Sequence, residues 1–171
     1  MNWGVRLQKF GVIIAYCLPV KLGDFIATIL GLLSYYILVR RRSIIKKNLS
    51  HIFYNQKLNN RDLKHYCRRT FINYARIMHD FLRLRFIKRE FLLDSVQPRG
   101  LENLHQALNL GRGCVLLTFH LGSWDYAGSY LAAQGFQMNA LVEETSPEMF
   151  EFYNRHRSRF GLKPCPLSRA G

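Results

Sequence analysis

Two residues five positions apart are the strongest chemical signal in the chain. His120 and Asp125 bracket the run His120-Leu121-Gly122-Ser123-Trp124-Asp125. A carboxylate hydrogen-bonded to one imidazole nitrogen fixes the tautomer and raises the basicity of the other nitrogen, which can then take a proton from a hydroxyl. Gly122 allows close backbone approach. Ser123 is a candidate N-cap for the helix that follows, whose first N–H groups suit an anion or a developing oxyanion. By itself His-x4-Asp is a weak pattern, and a loop histidine beside a helix-capping aspartate satisfies it equally. Other chemistries are excluded by motif. Gly122-Ser123 lacks the G-x-S-x-G elbow of serine hydrolases, and Gly111-Arg112-Gly113 lacks the Lys-Ser/Thr of a phosphate loop. His79-Asp80 is the dipeptide of metal-dependent phosphohydrolases, but the remaining histidines form no obvious partner set, so it reads as a core or surface dipeptide and no metal is expected. The four cysteines are scattered without a CxxC pair, against a zinc site or a disulfide scaffold.

The elements that must position His120 follow from periodicity and punctuation. Leu101 to Leu110 is a short helix closed by Gly111. Cys114 to Phe119 is a short apolar run bounded by glycines, which predicts a buried strand. Tyr126 to Gln134 is helical, and Met138 to Val142 is a second strand. Ser146-Pro147-Glu148 opens another helix, with Ser as N-cap and Pro at the first helical position. It ends near Phe160 with Gly161 as its cap, and Leu162 to Leu167 begins a third strand. Alternating strands and helices predict an α/β layer with parallel pairing, in which ligands bind beyond the carboxyl ends of the strands. His120 falls at that edge.

The first hundred residues differ in kind. They carry 19 Lys+Arg against 5 Asp+Glu, whereas residues 101–171 carry six of each, so the entire net charge of +14 lies in the first part. The same part holds two apolar runs, Phe10 to Val20 and Phe25 to Val39, separated by Lys21-Leu22-Gly23-Asp24 and followed by Arg40-Arg41-Arg42 and Lys46-Lys47. Neither run alone reaches the ~20 residues of a spanning helix. A hairpin embedded in one leaflet and a single span bent near Pro19 both fit, with a buried core helix as the plain alternative. The basic flank marks the cytoplasmic side. Asn60 to Arg89 is an amphipathic helix, basic and aromatic, suited either to a membrane surface or to an ordinary bundle. Charge beside long apolar runs, with no recognition motif, disfavours nucleic acid as a partner and favours anionic lipid. The organisation expected is an N-terminal hydrophobic anchor with a basic flank (1–50), a basic amphipathic helical region (51–98) and a partial α/β catalytic domain (99–171).

From Arg99 onward the wording itself resembles a known family. Gly100-Leu101-Glu102-Asn103-Leu104, Gly111-Arg112-Gly113, a hydrophobic strand and then His120 to Asp125 resemble the core of the bacterial lipid A biosynthesis acyltransferases (lauroyl or myristoyl type), within the lysophospholipid acyltransferase superfamily. Ser123 stands where the family more often has Asn. Arg40-Arg41-Arg42 with Asn48-Leu49 resembles the basic stretch after the family's hydrophobic N-terminus. Val142-Glu143 before Pro147, then Arg157-x3-Gly161, resembles the next block as it occurs in related mannolipid acyltransferases. The resemblance implies a glycerol-phosphate-acyltransferase-like fold and a membrane-bound O-acyltransferase. His120 is then the general base on the hydroxyl of a glycolipid acceptor, oriented by Asp125, with Gly122, Ser123, Glu143, Arg157 and Arg159 handling polar or phosphate groups of the substrates. It implies no cofactor beyond the co-substrate, the thioester of an acyl carrier protein or acyl coenzyme A. It implies a bacterial inner membrane location with the catalytic part on the cytoplasmic side. Family members continue well past residue 171, so the chain reads as an N-terminal portion. A basic membrane-associated protein without catalysis, or an inactive fragment, is the alternative.

Overall fold

A computed structural model describes residues 3–56, 58–144 and 146–169. The chain forms two compact units, 1–83 and 84–171.

The first unit is helical. α1 (Trp3–Cys17) ends at the break before Pro19, and α2 (Val20–Ile37) follows. Pro19 has an extended backbone, which stops one helix and opens the next. α3 (Val39–Ile52) carries the arginine and lysine clusters, and α4 (Asn60–Arg83) is the helix that α1, α2 and α3 all pack against. The helix expected over Asn60 to Arg89 ends at Arg83, and its inward stripe packs in the bundle: Cys67, Phe71, His79 and Phe81 are buried. Tyr35 of α2 meets Phe71 edge-on at 5.8 Å, with Ile45 and Leu49 of α3 packed beside them.

α2 reaches α4 through small residues. Gly23, Ala27, Gly31 and Tyr35 form its buried stripe at every fourth position. A Cβ on Gly31 would stand 2.6 Å from Cα of Ile72 and 2.8 Å from the carbonyl oxygen of Phe71, so the backbones touch where only glycine fits. One polar pair crosses the same seam. His79 Nδ1 donates to Asp24 Oδ1 at 3.1 Å, and the ring edge rests on Gly23. Donor atoms of Asp24, His79 and Asp80 lie within 4.8 Å of one another, so the His79-Asp80 dipeptide has a third neighbour from 55 residues away.

The second unit begins at Leu84. It holds α5 (Arg89–Ser95), α6 (Leu101–Asn109), α7 (Trp124–Ala133) and α8 (Pro147–Arg157) with a sheet of two short strands, β1 (Asn139–Val142) and β2 (Lys163–Pro166). The strands are parallel, with Asn139 opposite Lys163 and Val142 opposite Pro166. The expected crossover is present: β1, α8 and β2 follow in order, joined by a 3-10 turn that Gly161 closes at φ 99°. Leu84, Ile87, Leu92, Tyr130 and Ala133 make the core. Arg89 donates through Nε and its guanidinium NH2 to the carbonyl of Ala133, capping the last turn of α7 with a cation.

Two expectations need correction. The fold is mostly helical with a small parallel sheet, rather than the α/β layer of three strands. The run Cys114 to Phe119 is not a buried strand. It is extended but unpaired among the described residues, and its apolar side chains face solvent, with Val115 95% and Leu117 89% exposed. A strand is defined by the neighbour that takes its backbone hydrogen bonds; β1 and β2 pair only with each other, so neither serves as that neighbour.

Candidate active site

His120 lies at the end of the extended segment, three residues before Ser123, the N-cap position of α7. It is exposed, and its ring packs against the indole of Trp124 with centroids 4.6 Å apart. Gly122 takes φ 65°, the left-handed conformation that turns the chain into the helix. Ser123 occupies the N-cap position, but its side chain makes no capping hydrogen bond; its carbonyl accepts from the N–H groups of Tyr126 and Ala127. Asp125 stands in the first turn of α7, where a carboxylate is favoured by the helix dipole.

Asp125 does not hydrogen-bond His120 in this structure. Its Oδ1 accepts from Nε of Arg157 at 2.9 Å, across 32 residues. The pair joins the first turn of α7 to the last residue of α8, with side-chain exposures of 12% for Asp125 and 24% for Arg157. The Arg157 guanidinium also lies over the ring of Tyr153 at 5.6 Å. The preceding residue, His156, is fully buried and its Nδ1 donates to the Phe152 carbonyl at 2.8 Å, which fixes the tautomer. Burial lowers the pKa of His156; the Phe152 carbonyl opposes this, Arg85 and Arg155 add to it, and Asp125 opposes it weakly.

The other residues singled out by sequence scatter. Glu143 follows β1 directly and is exposed, at the carboxyl end of a parallel strand. Its neighbour Glu144 accepts from Ser168 at 2.9 Å. Arg159 is spent on structure: it donates to the Ile87 carbonyl at 2.9 Å and stacks over Phe160. The geometry therefore brings together His120 with Trp124, and Asp125 with Arg157, around one helix N-terminus. The family resemblance singled out Arg157, but nothing in the sequence pointed to Asp125 as its partner.

This arrangement occurs in a chain that matches the model of the bacterial lipid A biosynthesis acyltransferases over residues 1–170, and the chain belongs to that family. Among curated proteins it is similar to a phosphatidylinositol mannoside acyltransferase of Mycolicibacterium smegmatis, 28% identical over 102 residues, which is 59% of this chain and 34% of the relative. A phosphatidylinositol mannoside acyltransferase of Mycobacterium tuberculosis is 33% identical over 100 residues, 56% of this chain and 31% of the relative. The chain thus spans about a third of the length of the curated relatives it matches.

Proposed function

We propose that this chain carries the base and the membrane-binding part of an O-acyltransferase that moves a fatty acyl group from a thioester to a hydroxyl of a membrane glycolipid. The observation that carries the reading is His120, exposed at the N-terminus of α7 with Asp125 in the first turn, in a chain matched by the family over its length. His120 removes the hydroxyl proton as the acceptor oxygen attacks the thioester carbonyl. The C–S bond breaks, and the thiolate of acyl carrier protein or coenzyme A takes a proton as it leaves. N–H groups at the start of α7 and at Gly122 support the oxyanion. The acceptor is a phosphate-bearing glycolipid, either of the lipid A precursor kind or of the mannosylated kind that the relatives' names state. Glu143, exposed directly after β1, handles polar groups of the acceptor.

The first unit supplies the membrane reading. α2 is long and apolar enough to cross a membrane by length and composition, and only 17% of its apolar window is buried. Eighteen residues span about 27 Å, against a hydrocarbon core of ~30 Å. Phe25, Ile29, Leu33 and Ile37 are exposed along it. Arg40 and Arg41 beyond its end line a hollow with Ile44 and Ile45, which suits an anionic headgroup of a cytoplasmic leaflet.

His120→Ala tests the reading. Acyl transfer to a vesicle-embedded glycolipid should fall by at least about 100-fold, while sedimentation with anionic vesicles is unchanged. Full activity in that variant removes His120 as the base. A non-catalytic basic membrane protein is the second reading, favoured by the unpaired segment before His120. Vesicle binding by a wild type that transfers no acyl group from either donor selects it.

A further inference from the structure

We propose that Arg157 is a positioning residue that acts through Asp125 rather than a ligand of the substrate. The inference rests on the acyltransferase reading of His120 and assigns Arg157 a role within that same site.

The Nε–H of Arg157 meets Asp125 Oδ1 at 2.9 Å, and both side chains are largely withdrawn from solvent. A charge-assisted bond in such surroundings is stronger than its exposed equivalent and fixes direction as well as distance. The local fields agree with it: the carboxylate sits in the first turn of α7 and the guanidinium at the last residue of α8, each at the helix end that favours its charge. The Tyr153 ring covers the guanidinium. Asp125 accepts no other hydrogen bond among the described residues, so its second oxygen remains for an imidazole N–H. Left alone, an aspartate in the first turn of a helix turns back to cap its own backbone N–H groups. Arg157 prevents this by holding Oδ1 from the neighbouring helix; His120 precedes Asp125 by five residues and rests on Trp124 beside it, and in the proposed role its imidazole is the group that Oδ2 orients once substrate is bound.

The test uses Arg157→Gln, Arg157→Lys, Asp125→Asn and the Gln/Asn double variant. Two readouts are taken: kcat and KM for acyl transfer, and the imidazole 15N resonances of His120, assigned by their loss in His120→Gln. Arg157→Gln should lower kcat about 10- to 100-fold and change KM less than about threefold, with Lys recovering most of the loss. The double variant should be no slower than the slower single variant, because both act through one group. The His120 resonances should shift in the same direction in Arg157→Gln and Asp125→Asn. A raised KM with kcat intact, multiplying with Asp125→Asn, would make Arg157 a substrate ligand and overturn the proposal. Unmoved His120 resonances with only a lowered melting midpoint would make the pair a tie between α7 and α8, and overturn it too. If the wild type transfers no acyl group but His120 responds to both substitutions, the acyltransferase reading falls and the positioning role stands.

Discussion

The two compact units solve the same problem, burying apolar surface, in opposite ways. Unit 2 carries little net charge of its own beyond its first few residues and closes a small core around Leu84, Leu92 and Tyr130. Unit 1 is strongly basic and spends its smallest residues on packing, so that Gly23, Ala27 and Gly31 face inward while Phe25, Leu33 and Ile37 face out. In water that distribution is inverted; against lipid it is ordinary, because small residues allow close helix contact where no hydrophobic gain is available. The seam of unit 1 is therefore chiefly steric, with the Asp24–His79 pair at one end, whereas α7 and α8 of unit 2 are tied by the ion pair of Asp125 and Arg157.

That contrast can be broken at defined places. Leu33→Lys on the outer face of α2 should weaken partition onto vesicles about 100-fold, since a lysine in a lipid-facing helix costs about 2.5–3.5 kcal/mol, and should leave helicity unchanged. A binding isotherm against anionic vesicles measures it; an unchanged isotherm means α2 does not meet lipid. Gly31→Leu forces a side chain into the backbone of Ile72 and Phe71 and should lower the stability of unit 1 by about 3 kcal/mol, read by thermal unfolding in detergent. Stability equal to wild type would show that α2 and α4 do not touch there. Arg41→Gln should reduce binding to anionic vesicles about fivefold and binding to neutral vesicles not at all, an effect lost at high salt.

The smallest expected effect concerns pH. Burial lowers the pKa of His156 in the folded chain below its ordinary value of 6.5. The unfolded state then binds more protons through the interval below that value, so this contribution is complete above about pH 6.5 and is lost as pH falls through the folded-state pKa. The melting midpoint of unit 2 should drop between pH 7 and pH 5, and His156→Gln should flatten that part of the slope. A slope unchanged in the variant assigns it to other groups.

What could be read from the sequence was local. Pro19 separates α1 from α2, Gly111 and Gly161 close their turns, Ser146-Pro147 opens α8, and β1 and β2 pair in parallel as the alternation required. What could not be read depends on partners distant in the chain. Apolar residues at 114–119 satisfy the pattern of a buried strand, yet burial needs a neighbour on each side, and none is present among the described residues. The stripe on α4 was legible, but not that α1, α2 and α3 would cover it. Asp24 with His79 and Asp125 with Arg157 are joined across 55 and 32 residues, and nothing in the spacing of one member specifies the other.

The central claim is a division of labour, with chemistry at His120 and lipid contact along α2. Its most direct test measures both properties on the same preparations: acyl transfer from an acyl thioester to a vesicle-embedded glycolipid, by mass spectrometry of the product, and co-sedimentation with those vesicles. The account predicts that His120→Ala binds like wild type and forms no acylated product, and that Leu33→Lys fails to bind yet still acylates acceptor dispersed in detergent. Product formation by His120→Ala, or the loss of both properties together in each variant, would contradict it.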